Sequence, residues 1–325
     1  MTRSLRLHDA MPEPVSRPRM AIAAKGFRPF FLLAAVFAAA IVPIWILIVL
    51  GKLPPSVYFD GTTWHAHEMI FGFAVAVIAG FLLTAVGNWT KRETLVGAPL
   101  LALAALWVAG RFAILLAAVL PRGVVAAVDL AFLPALGIAL ARPLVATRNW
   151  RNFVMLLLVV ALFAANAATH LEALGLTRLG VARRACWVAI DLIVVLMLIM
   201  AARVVPMFTR NGTGSKTIHT YPALDVAAPA LVGVLALVDA IFWQSTATAI
   251  VAGLAALATL GRAARWGTLA TARHPLLWIL HAGHAWIAIG LALRALSFVW
   301  PAASGSLAVH ALTAGAIAVM ILAVM

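Results

Sequence analysis

Long apolar runs alternate with short polar gaps along almost the whole chain. An α-helix needs about 20 apolar residues to cross the hydrocarbon core of a bilayer. On that template, spans fall near residues 27–51, 65–87, 98–120, 124–142, 153–173, 185–208, 222–243, 246–262, 275–299 and 306–325. Gly and Pro punctuate the gaps, as in Lys52-Leu53-Pro54-Pro55 and Asn211-Gly212-Thr213-Gly214. The pattern predicts an all-α, polytopic transmembrane helical bundle of about ten spans. It divides the chain into a basic cytoplasmic N-terminal tail, residues 1–26, and a single transmembrane domain, residues 27–325.

Composition strengthens this reading. Hydrophobic residues make up 65% of the chain and charged residues 10%, against roughly a quarter charged in an ordinary soluble domain. The first partner is therefore the lipid bilayer. A net charge of +14 suggests nucleic acid at first sight, but the basic residues sit in short clusters between apolar runs. There they set topology, and no nucleic-acid partner is expected. Basic residues divide 17 to 5 between the two sides, with Arg111 and Arg294 inside spans. That bias predicts a multi-pass protein of the bacterial inner (cytoplasmic) membrane with its N-terminus in the cytoplasm.

The polar start lacks a small-residue cleavage site, so the first span is expected to act as its own signal. Ser306 to Met325 runs apolar to the last residue with no basic anchor, and relatives are expected to continue beyond it. Cys186 is the single cysteine. It excludes an intrachain disulfide, a Cys-rich metal site and c-type haem attachment.

Ionisable side chains inside spans cost about 2.5–3.5 kcal/mol each on insertion scales and mark functional sites. His65, His67 and Glu68 open the second span; Asp129, His170, Asp191, Asp239, Arg294 and His310 fall in the outer third to half of theirs. Arg111 lies just outside the midplane, while His281 and His284 are nearer the middle. These groups are expected to converge on the outer half of the bundle.

On a regular helix His65 shares a face with Met69, whereas His65 and His67 diverge by about 200°. Glu68 falls on the His65 side, where a carboxylate fixes the tautomer of a ligating imidazole. Neutral imidazole suits haem iron and copper, and thioether suits Cu(I). Arg111 and Arg294 are candidate partners for haem propionates. The plainer alternative pairs such groups across helices, as in Arg111 with Asp129. Gly72, Gly80, Gly110 and Gly290 are expected at close helix contacts.

Several stretches carry a family resemblance. They are Gly26-Phe27-Arg28-Pro29-Phe30-Phe31, Trp64-His65-Ala66-His67-Glu68-Met69-Ile70-Phe71-Gly72, and Ala79-Gly80-Phe81-Leu82-Leu83-Thr84-Ala85 followed by Asn88-Trp89-Thr90. Further on come Arg203-Val204-Val205-Pro206-Met207-Phe208-Thr209-Arg210-Asn211, Pro275-Leu276-Leu277-Trp278-Ile279-Leu280-His281 and His310-Ala311-Leu312-Thr313-Ala314-Gly315-Ala316-Ile317. Over nearly its whole length the chain resembles the NnrS family of haem- and copper-containing membrane proteins linked to nitric oxide and denitrification.

The resemblance implies haem b and copper as cofactors and a role in nitric oxide response or nitrosative-stress protection. It places His65, His67, His170, His281 and His310 at cofactor positions, with His65, His67, His281 and His310 as metal ligands. Glu68 and Met69 would support them, and His284 falls outside the pattern. Two other readings stay open. One is a nitric oxide reductase drawing electrons from quinol or another membrane donor, with a proton path through Glu68, Asp129 or Asp191. The other is a proton or metal-ion transporter.

Overall fold

The computed structural model describes residues 20–300 and 302–325, so the N-terminal tail up to residue 19 lies outside the described residues. Ten helices are long and apolar enough to cross a membrane. They are α1 (Phe27–Val49), α2 (Gly61–Thr90), α3 (Ala98–Leu115), α4 (Arg122–Ala146) and α5 (Trp150–Ala173). The remainder are α6 (Val181–Thr213), α7 (Pro222–Ile241), α8 (Thr246–Ala263), α9 (Pro275–Leu296) and α10 (Gly305–Val324). No strand occurs among the described residues.

The spans match the apolar runs, with two informative differences. α2 begins at Gly61 rather than near residue 65, because Asp60 Oδ1 accepts from the Thr62 and Thr63 N–H groups at 3.1 and 3.0 Å. This N-cap satisfies donors the first turn leaves free, and it places His65 about one turn and His67 nearly two turns inside the helix. α6 extends to 33 residues between Gly180 and Gly214, both with positive φ (92° and 67°). Only a residue without Cβ takes that conformation cheaply, so the glycines bound the helix.

Burial separates core helices from peripheral ones. In α2 and α6 72% of the apolar window is buried, in α1 only 11%. Val36, Leu157 and Leu257 instead point outward, as side chains facing acyl chains do. α1 packs on α2 across Gly80, where an added Cβ would lie 3.0 Å from Phe30 Cβ and 3.1 Å from Phe27 Cα. Close approach at small residues is the usual device for joining helices in lipid.

Consecutive helices run in opposite directions and give the bundle two ends. One end carries the ion pair Lys25–Glu93 and the contact of Arg203 with Asn152; it is called here the basic face. At the opposite face, Arg122 Nη1 donates to the Ala173 carbonyl and Glu172 accepts from Ala182 N. Two helices contain a widened π turn, α2 over Glu68–Ala74 and α10 over Ala311–Ala318. Each begins just after a histidine, His67 or His310. Such turns concentrate at functional sites.

Candidate metal centre

Near the opposite face, three spans bring two histidines and an aspartate together. His67 of α2, Asp129 of α4 and His170 of α5 each offer one ligand atom, and these atoms lie within 4.8 Å of one another. All three side chains are buried, His67 completely. His170 Nε2 meets Asp129 Oδ2 at 2.9 Å, and His67 Nε2 lies 3.6 Å from the same oxygen. A carboxylate only accepts, so His170 Nε2 donates. Its Nδ1 therefore accepts from the Tyr58 hydroxyl at 2.9 Å.

Asn166 completes the inner ring. It lies one turn before His170 on the same face of α5, since residues four apart in a helix project together. Its Nδ2 donates to Asp129 Oδ2 at 2.8 Å, and its Oδ1 faces His67 Nε2 at 2.9 Å. The other His67 nitrogen, Nδ1, meets Glu68 Oε1 at 3.0 Å. Glu68 thus orients His67, not the expected His65. His67 and Glu68 are adjacent at the start of the π turn; Glu68 meets Arg111, and His67 meets Asn166.

Arg111 of α3 supplies the positive charge beside the two carboxylates. Its Nη1 donates to Glu68 Oε1 at 2.7 Å, and its Nη2 pairs with Asp129 Oδ1. Buried carboxylates persist in a low dielectric only when paired and hydrogen-bonded. Gly110 permits the approach: a Cβ there would sit 2.9 Å from Asp129 Oδ1. Tyr58, in the loop before α2, is held as a phenol. Burial pushes its pKa up to about 12, against the opposing pull of the nearby Arg122 guanidinium.

The remaining candidates lie elsewhere. His65 stacks flat on Trp45, centroids 4.6 Å apart, and its buried Nδ1 has no hydrogen-bond partner. His310 of α10 is exposed. Its Nδ1 meets the Ser306 carbonyl at 2.7 Å, so Nδ1 donates and Nε2 keeps its lone pair. Met69 packs among apolar neighbours around Ile41 and Trp64. His281 sits toward the basic face with both nitrogens engaged, Nε2 by Thr209 at 2.8 Å and Nδ1 by Thr268 at 3.0 Å. Arg294 is clamped by Asp191 and Asp239. Of the four expected metal ligands, His67 alone enters the three-atom cluster.

The donor set fits a metal ion. Two imidazole nitrogens and a carboxylate oxygen suit copper and other first-row divalent ions. A cavity of about 10 Å³ adjoins the cluster, lined by Phe71, Gly110, Arg111, Asp129 and Asn166 among others. That is room for about one water and far too little for a porphyrin. For haem b the residues divide. His65 and His310 retain free ring nitrogens suited to axial ligation, but Arg111 and Arg294 do not fit as propionate partners, because each already holds two carboxylates.

Sequence reading missed Tyr58 and Asn166; the expected pairing of Arg111 with Asp129 is present, and Asp129 also enters the three-atom cluster. The spacing Asn166-x-x-x-His170 was the available signal, one polar stripe on an apolar helix.

In comparison with known proteins, the family model described as NnrS protein matches residues 21–325. No curated protein and no solved structure matches the chain.

Proposed function

Because the chain belongs to the NnrS family, whose members are membrane proteins of the nitric oxide response, we propose that it works as a copper-binding protein of that response through His67, Asp129 and His170. The observation that carries this reading is the convergence of three buried ligand atoms from three spans within 4.8 Å. Six residues around them (Tyr58, Glu68, Gly110, Arg111, Asn166 and Phe71) position or enclose those atoms.

Bound copper would supply an open coordination position for nitric oxide. The protein's own part is to hold the donors. For His170 Nε2 to present a lone pair, its proton must reside on Nδ1, where the Tyr58 oxygen is placed to accept it. The Tyr58 hydroxyl then turns to the Arg122 carbonyl, which lies 3.4 Å away. His67 already has Nδ1 fixed by Glu68, leaving Nε2 as the ligating atom once the Asn166 amide turns aside. Arg111 holds Glu68 and Asp129 in place. Haem b, the second cofactor the family resemblance implies, would be held by His65 and His310.

The test is metal analysis and optical spectroscopy of purified protein, with single substitutions. His67→Ala, His170→Ala and Asp129→Ala should each abolish bound copper, whereas His281→Ala should retain it. A Soret band lost in His65→Ala or His310→Ala would support the haem assignment. Full copper retention in both His67→Ala and His170→Ala would overturn the reading.

A further inference from the structure

A second guanidinium–carboxylate group lies among α6, α7 and α9. Arg294 Nη1 of α9 contacts Asp191 Oδ1 of α6 at 2.7 Å, and its Nη2 pairs with Asp239 of α7. Thr248 of α8 donates its hydroxyl to Asp239 Oδ1 at 3.1 Å. Asp191 and Asp239 are fully buried and Arg294 nearly so. Trp187, one turn before Asp191, covers the guanidinium with its ring centroid 4.3 Å from Cζ.

The charges in this group do not balance. Two carboxylates face one guanidinium, and Arg294 is the one basic side chain in ion-pair contact with either among the described residues. The group around Arg111 differs, because there His67 and His170 also meet the carboxylates. The surplus falls on Asp191: its Oδ2 is buried with no hydrogen-bond partner from the protein, whereas Asp239 Oδ2 lies against the guanidinium. The titratable groups on neighbouring elements are occupied elsewhere. Glu172 accepts from Ala182 N, His170 is held by Asp129 and Tyr58, His310 by the Ser306 carbonyl, and His65 stacks on Trp45. An isolated ionised oxygen in a low dielectric is among the costliest arrangements a protein can hold, and such groups neutralise instead.

We propose that Asp191 is a proton-binding site: at neutral pH its Oδ2 carries an exchangeable proton, while Arg294 and Asp239 remain an ionised pair. Between the two carboxylates the site discriminates by hydrogen bonding. Asp239 has the Arg294 ion pair at Oδ2 and the Thr248 hydroxyl donating to Oδ1, which together favour its charged form. Asp191 receives the guanidinium alone. The proton comes from and returns to the aqueous medium, with no bond to carbon or metal formed and no electron moved. The site needs no bound metal and stands apart from the proposed copper centre.

Infrared spectroscopy of the full chain in lipid nanodiscs, without added metal, tests it. At neutral pH the spectrum should contain a protonated-carboxyl C=O band that shifts in D₂O and is lost in Asp191→Asn. Asp239→Asn should also remove the band, because Asp191 then becomes the sole counter-ion of Arg294 and ionises. This second variant keeps the test decisive if Asp191→Asn does not fold. A carboxyl region unchanged in either variant would overturn the proposal, leaving Asp191 ionised beside a bound water or cation.

Discussion

His170 Nε2 and Asp129 Oδ2 stand 2.9 Å apart between α5 and α4, joined by a proton that a metal ion would replace. Ligation requires the imidazoles to be neutral and their Nε2 lone pairs free, so metal and protons compete for the same atoms. Copper affinity should therefore rise with pH and fall on acidification. Titration calorimetry at several pH values would check this, and a pH-independent affinity would contradict the assignment.

Tyr58 provides a separate handle. Removing a partner that orients a ligating histidine typically weakens metal binding about 10–100-fold, which is the loss expected for copper in Tyr58→Phe. The same residue bears on stability. Its phenol titrates near 12 when folded rather than near 10. A raised acid pKa contributes stability that is complete below the unfolded value and is lost as pH climbs from about 10 toward 12. Wild-type protein should therefore lose stability across that alkaline window more steeply than Tyr58→Phe, measured by thermal unfolding in detergent.

Arg111 pairs with two buried carboxylates at once. Arg111→Gln leaves Glu68 and Asp129 as uncompensated charges, and removing one partner of a buried ion pair costs about 3–5 kcal/mol. The melting temperature should fall sharply, and combining Arg111→Gln with Glu68→Gln should recover part of the loss. Equal loss in the single and double variants would show that the guanidinium acts by packing alone.

Gly110 makes no hydrogen bond to the site through a side chain, yet it controls the position of Asp129. A methyl group there would press on Asp129 Oδ1 at 2.9 Å and on its Cα at 3.3 Å. Gly110→Ala should lower copper affinity with every ligand still present. Gly137→Ala is the control, since its Cβ would meet only ordinary contacts at 3.8 Å.

The legible part of this protein is the part governed by local patterning. Run length alone located the ten spans, because crossing a bilayer sets a minimum apolar length. His67, His170, Asp129 and Arg111 stood out because charge inside lipid is costly. Gly80 and Gly110 were legible as close contacts for a similar reason, since a glycine within a span has little other use. Partner choice was not legible. Glu68 sits at a helical spacing that favours His65, but the π turn and the pull of Arg111 direct it to His67. His281 reads as a ligand until Thr209, on another span, and Thr268, in the short 3-10 helix before α9, meet its two nitrogens. Asn166 carries no charge and gave no cost signal, although it touches both His67 and Asp129.

The widened turn at Glu68–Ala74 has a mechanical consequence for α2. It accommodates one residue more than a regular helix would over the same path, so the segment above it is out of phase with the segment below. Deleting a single residue there would close the ladder into ordinary α geometry and swing everything from Gly61 to His67 around the axis by about 100°. The imidazole that now meets Asp129 would face another neighbour, while Val75 to Thr90 kept their seats. The azimuth of His67 is thus set independently of the packing of the helix that carries it.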